Sequence, residues 1–223
     1  DSKARKSTTL QGAREDWDLD ESDIETINKT FVASIQALRD SSASAASTDR
    51  VHLFWDMSVP IGLLGEIMPG LTDAGVRDLH LVGRKRYDGS KRLRANLLTL
   101  VDKESRAPIA VGALSCTPIG GVGDSVPPAD WLKGTVLVSS RKVTASKMAG
   151  GNSKTIALSA DSSIMTALGQ WLLAFKEPVL LGVRESTTQS QLNKVLNGLA
   201  WECVDEKCTK TRSIDNILLA ICQ

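Results

Sequence analysis

Aromatic residues make up only 4% of the 223-residue chain, and Tyr87 is its single tyrosine. That scarcity argues against an aromatic platform on which single-stranded bases stack in succession. Net charge is also nearly absent: 27 Lys and Arg stand against 26 Asp and Glu, giving +1. Affinity for nucleic acid must therefore come from local clustering rather than from overall charge. No apolar run reaches the roughly 18 to 20 residues that cross a bilayer, so no membrane partner is expected. The four cysteines, Cys116, Cys203, Cys208 and Cys222, are too scattered to read as a secreted disulfide framework. Cys203 and Cys208 have the spacing of half a zinc site, but no second pair matches them. The only histidines, His52 and His80, lie in apolar strand-like runs and read as core residues. No Ser/His/Asp or Cys/His pairing follows from spacing. Neither "TPIGGVGDSVPP" nor "AGGNSK" has the arrangement of a dinucleotide or phosphate loop.

What is present is an ordinary globular composition, 42% hydrophobic and 24% charged, in a chain long enough for one cored domain plus an extension. Its first residues, "DSKARKSTTLQGAR", are basic and rich in Ser and Thr. Segments near an organelle-targeting cleavage site have this character. The expected setting is intracellular, either an organelle such as the mitochondrial matrix or the cytoplasm. Residues 1–18 show no apolar period and read as a flexible arm. Residues 19–40 follow as an amphipathic docking helix, with Ile24, Ile27, Phe31, Ile35 and Leu38 at helical spacing and acids in the first turn. The Ser/Ala-rich stretch 41–49 reads as a linker, leaving 50–223 as the main domain.

Within that domain, "VHLFWDM" and "VRDLHLVG" read as strands around a helix closed by Gly75. "LRANLLTLVDKE", "PIAVGALSC" and "GTVLVSSRKV" are strand-like, the first also compatible with a helix. "KTIALSADSS", "IMTALGQWLLAFK", "EPVLLGV", "TQSQLNKVLNGLA" and "WECVDE" alternate strand and helix. That alternation predicts an α/β fold, a mostly parallel sheet flanked by helices. In such sheets ligands bind at the carboxyl ends of the strands. Asp56 and Asp161 fall at two of those ends. Paired carboxylates there could hold Mg²⁺ or Mn²⁺, which favour oxygen ligands and activate water for phosphodiester cleavage. Capping of the following helix is the more ordinary account of each acid, most of all for Asp161, where Ser162 and Ser163 directly precede a helical period.

"FWDMSVP" resembles the first-strand motif of NYN domains, members of the PIN-like ribonuclease group, and "ALSADSSIMTALGQWLL" resembles their later acidic motif. The resemblance covers about residues 50–206 and implies a PIN/NYN-like fold with Asp56 and Asp161 as catalytic and metal-binding positions. This chain departs from the family pattern in three places. Met57 and Ser58 stand where the family usually has Asn, Ser163 stands at the second acid, and the middle acid has no clear counterpart. Asp88, Asp102 and Glu104 are the nearest replacements. The pattern implies a site that is vestigial, with no cofactor, or active with Mg²⁺ or Mn²⁺.

The strongest nucleic-acid signal is "GRKRYDGSKRLR". Arg84, Lys85, Arg86, Lys91, Arg92 and Arg94 surround Tyr87 and an Asp88–Gly89 turn signal. As a hairpin this segment would carry six cations to one tip, with Tyr87 available to stack a base. A solvated basic loop is the plainer alternative. Together these features predict a non-catalytic RNA-associated component of a ribonucleoprotein assembly, docking on protein subunits through its arm and helix. The alternative is an active metal-dependent endoribonuclease.

Overall fold

The computed structural model describes residues 21–41, 50–54, 59–87, 90–102, 104–123, 125–148, 153–158, 178–200, 202–203, 211–212 and 216–223. Three helices are described: α1 (Glu21–Ser41), α2 (Ile61–Asp73) and α3 (Gln189–Ala200). The strands are β1 (Arg50–Phe54), β2 (Asp78–Tyr87), β3 (Ser90–Leu100), β4 (Ile109–Val111), β5 (Leu114–Val122) and β6 (Gly134–Val138). They continue as β7 (Lys142–Lys147), β8 (Lys154–Ala157), β9 (Val179–Arg184), β10 (Glu202–Cys203), β11 (Thr211–Arg212) and β12 (Ile217–Cys222). The arm of residues 1–18, nearly all of the linker and the expected helix "IMTALGQWLLAFK" lie outside the described residues.

Ten strands form one sheet in the order β1-β2-β3-β5-β12-β9-β6-β7-β8, with β4 paired to β5. Three pairings are parallel, β1 with β2 and β9 with both β6 and β12. The other six are antiparallel. The sheet is therefore mixed and mainly antiparallel, which overturns the mostly parallel sheet expected from the alternation of strands and helices and implied, as PIN/NYN-like, by the family resemblance.

Link length is the physical reason. A parallel pair needs a crossover of a dozen or more residues, whereas two residues suffice for a hairpin. Only two residues separate β2 from β3 and β4 from β5, and Gly112 supplies the positive φ of 60° in the second link. At the β6–β7 link Ser139 N–H donates to Lys142 O at 2.9 Å, and Ser139 Oγ accepts from Lys142 N–H at 3.2 Å. "SSR" is thus a turn inside what reads in sequence as one strand. Where α2 intervenes, β1 and β2 do pair in parallel.

Strand β8 lies at the sheet edge, antiparallel to β7, rather than inside a parallel unit. Among the described residues, β10 pairs with β11 alone, in a separate two-stranded sheet. The strand that completes the main sheet is the last one, β12. Its six residues are all buried, as are the first five of β9. Ile217, Leu219 and Ile221 of β12 and Val179, Leu181 and Val183 of β9 enter the larger core, with Leu64, Ile67 and Leu71 of α2 and Leu192, Val195 and Leu196 of α3. Leu218, Ala220 and Leu180 enter a second core with Leu132. Alternate residues of a strand point to opposite faces, so these two cores lie on the two sides of the sheet. Burial on both faces explains the near-continuous apolar spelling of "VLLGV" and "ILLAIC".

α2 ends in a Schellman arrangement, Val76 N–H donating to Leu71 O at 3.0 Å and Gly75 N–H to Thr72 O at 2.8 Å. Gly75 has φ 75°, the left-handed conformation that this ending requires. α1 packs on α2: Ile35 is buried, and Ile27, Phe31 and Val32 lie against the larger core. Ile27, Phe31 and Ile35 of the stripe expected to dock on partners thus face the chain's own core.

Candidate nucleic-acid interface

β2 and β3 form the hairpin that the sequence suggested. Its register pairs Gly83 with Arg94, Arg84 with Leu93, Lys85 with Arg92, Arg86 with Lys91 and Tyr87 with Ser90. The pairing of β2 with β1 stops at Val82, and β3 meets β5 only over Leu98–Leu100. Beyond Val82 the two strands pair only with each other among the described residues. Five registered pairs at about 3.4 Å per residue make a two-stranded ribbon about 14 Å long. All six expected cations lie on it. Asp88 and Gly89, which join its ends, lie outside the described residues.

The register has an electrostatic consequence. Lys85 opposite Arg92 and Arg86 opposite Lys91 place like charges at directly paired positions, which destabilises an antiparallel pair in isolation. A polyanion bound along the ribbon would relieve that repulsion.

The acidic pair is placed less directly. Asp56 and Asp161 lie outside the described residues, as does Asp88. Val59 and Leu158 are described, each three residues along the chain from one of the acids, and both bond to α3. Gln189 N–H donates to Val59 O at 3.0 Å, and Lys194 Nζ donates to Leu158 O. The start of α3 is itself a capping box. Gln191 Oε1 accepts from Thr188 N–H at 2.8 Å, and Thr188 Oγ1 accepts from Gln191 N–H at 3.4 Å. Gln191 Nε2 also donates to Ser140 O at 2.9 Å, and Thr187 Oγ1 to Val138 O at 3.5 Å. The chain following β1, β6 and β9 therefore converges on this helix start, and the chain following β8 is tied to Lys194 in the middle of the same helix. Thr187, Gln189 and Asn193 are buried polar residues there, and Gln189 Oε1 has no hydrogen-bond partner among the described residues. Sequence reading missed this cluster, although "STTQSQ" carries its capping signature.

Of the replacement acids, Asp102 is engaged elsewhere. Its Oδ1 accepts from Ser105 N–H at 2.8 Å, capping the short turn Glu104–Arg106. Burial pushes the Arg106 guanidinium below its ordinary pKa, while Asp73 and then Asp102 pull it back up. Arg106 Nη2 also donates to Thr72 Oγ1 at 2.8 Å, tying this turn to the end of α2. The side chain of Glu104 lies outside the described residues. Among the described residues no three His, Cys, Asp or Glu side chains are grouped as metal ligands. His52 and His80 occupy paired register positions on β1 and β2. The side chains of Cys203 and Cys208 are not described.

No helix among the described residues is long and apolar enough to cross a membrane. Compared with family models, curated proteins and solved structures, the chain matches none.

Proposed function

We propose that this protein binds RNA without cleaving it, gripping phosphates with the β2–β3 ribbon as one component of a ribonucleoprotein assembly. The supporting observation is the register that sets Lys85 opposite Arg92 and Arg86 opposite Lys91 on a ribbon extending past its neighbouring strands. Cations so arranged favour a phosphate backbone over a small ligand, because several charges act together along a line. Tyr87, paired with Ser90 at the ribbon's end, is the aromatic residue available for a base. Direct contact with RNA would account for a chain of net charge +1 concentrating six cations within eleven residues. The test is fluorescence anisotropy with a mixed-sequence single-stranded RNA across a salt series. Each cation neutralised by Ala should lower the slope of log affinity against log salt by about 0.7. Unchanged affinity and slope in Lys85→Ala/Arg92→Ala would remove the ribbon from the interface.

A second reading, a metal-dependent endoribonuclease, draws on the bonding of both Val59 and Leu158 to α3. In that reading Asp56 and Asp161 supply carboxylates for Mg²⁺ or Mn²⁺, which would activate water when bound. Metal-dependent cleavage of the same RNA, abolished in Asp56→Asn, would establish it.

A further inference from the structure

We infer that this chain matures by oxidation, and that a buried Cys116–Cys222 disulfide latches the strand on which the whole sheet depends. The inference is independent of RNA binding. β12 is the last strand in the chain, yet it sits in the middle of the sheet, between β5 and β9. The β1-β2-β3-β5 half and the β9-β6-β7-β8 half connect through it alone among the described strands.

Cys222 of β12 is the register partner of Cys116 of β5, and their sulfurs are bonded. The register suits a cross-strand link. Ser115 and Gln223 exchange both backbone hydrogen bonds, at 2.9 and 3.4 Å. The neighbouring pair, Cys116 and Cys222, is therefore non-hydrogen-bonded, the kind in which side chains approach most closely. Their Cα atoms are 4.0 Å apart. The adjoining strand leaves room for the sulfurs. An ideal Cβ on Gly182 of β9 would stand 2.6 Å from Cys222 Sγ and 3.6 Å from Cys116 Sγ. Leu180, Leu218 and Leu132 share the core in which the bridge lies.

Formation removes two protons and two electrons from the thiol pair. The acceptor belongs to the class of disulfide oxidants. One cysteine thiolate attacks the oxidant's disulfide and expels a thiolate, forming a mixed disulfide. The second cysteine thiolate then displaces the remaining oxidant sulfur, and the oxidant leaves as two thiols. Cys116 and Cys222 are 0% and 1% exposed in the folded chain. Exchange must therefore precede the seating of β12 or await its release, and a reductant meets the same barrier. Protein disulfides persist in oxidising compartments and are rare in thiol-reducing ones. Formation therefore needs contact with an oxidant before β12 is seated, and once seated the bridge is shielded from reductant.

The test is to purify the full chain under non-reducing conditions, denature it, alkylate free thiols, digest it and read the peptides by mass spectrometry. Linked peptides containing Cys116 and Cys222 are expected; alkylation of both would overturn the inference. A second measurement incubates the chain with dithiothreitol, folded or in denaturant. The bridge should survive for hours when folded and reduce rapidly when unfolded. After reduction and refolding, the melting temperature should fall by several degrees, with amides of β12 losing exchange protection before those of β6. Rapid reduction of the folded chain, or an unchanged melting temperature and protection, would show that the bond is no latch.

Discussion

A methyl group added at Gly182 would meet Cys222 Sγ at 2.6 Å and Leu137 Cδ2 at 2.7 Å. Both neighbours lie in a packed layer, so Gly182→Ala should overpack it and cost about 1–3 kcal/mol. Chemical denaturation of wild type and variant checks this. Gly75 is constrained differently, because its φ of 75° suits a residue without Cβ. Gly75→Ala should cost about 1 kcal/mol, read by the same method, with no effect on RNA affinity. The two glycines differ in legibility. Gly75 follows a helical period and marks its end, so its role can be read locally. Gly182 lies in an apolar run, and its purpose depends on Cys116, 66 positions earlier, and Cys222, 40 positions later. Spacing alone does not pair those cysteines.

Local signals account for what sequence conveyed about individual elements. The hairpin was legible because cations flank an Asp-Gly pair, and α3 because its apolar residues recur at helical spacing. The mixed sheet was not legible, because strand spelling reports burial rather than partner or direction. "KTIA" reads as a strand whether central or at the edge, and here it is the antiparallel edge strand β8. The six successive apolar residues of "ILLAIC" mark a strand buried on both faces, yet nothing local places that strand at the centre of the sheet. The acidic pair of the candidate site, Asp56 and Asp161, was legible as a motif, but its placement lies outside the described residues. For the ribbon itself, function and stability should move in opposite directions. Replacing Lys85 by Thr removes a like-charge pairing with Arg92, so stability should rise by about 0.2–1 kcal/mol while RNA affinity falls. Denaturation and anisotropy on the same preparation check both signs; a parallel loss of stability and affinity would indicate a folding role instead.

At the scale of the whole molecule, two halves of a sheet are joined by its last strand, and a basic ribbon projects from the first half. Deleting residues 217–223 should abolish cooperative unfolding, because β5 and β9 both lose their shared neighbour. Circular dichroism melting and limited proteolysis would detect this. The bridge closes a sequence separation of 106 residues. Its removal in Cys116→Ala/Cys222→Ala should cost about 2–5 kcal/mol, chiefly through the larger freedom of the unfolded chain. These losses concern the scaffold, whereas the central claim concerns the ribbon.

That claim is tested most directly by titrating a mixed single-stranded RNA, with Mg²⁺ present, against the wild type and Lys85→Ala/Arg92→Ala over a salt series. The same samples would be run on a denaturing gel. The account predicts intact RNA, salt-sensitive binding by the wild type, and weaker binding by the variant with a slope shallower by about 1.4. Equal affinity and slope in the two proteins, or cleaved RNA, would contradict it.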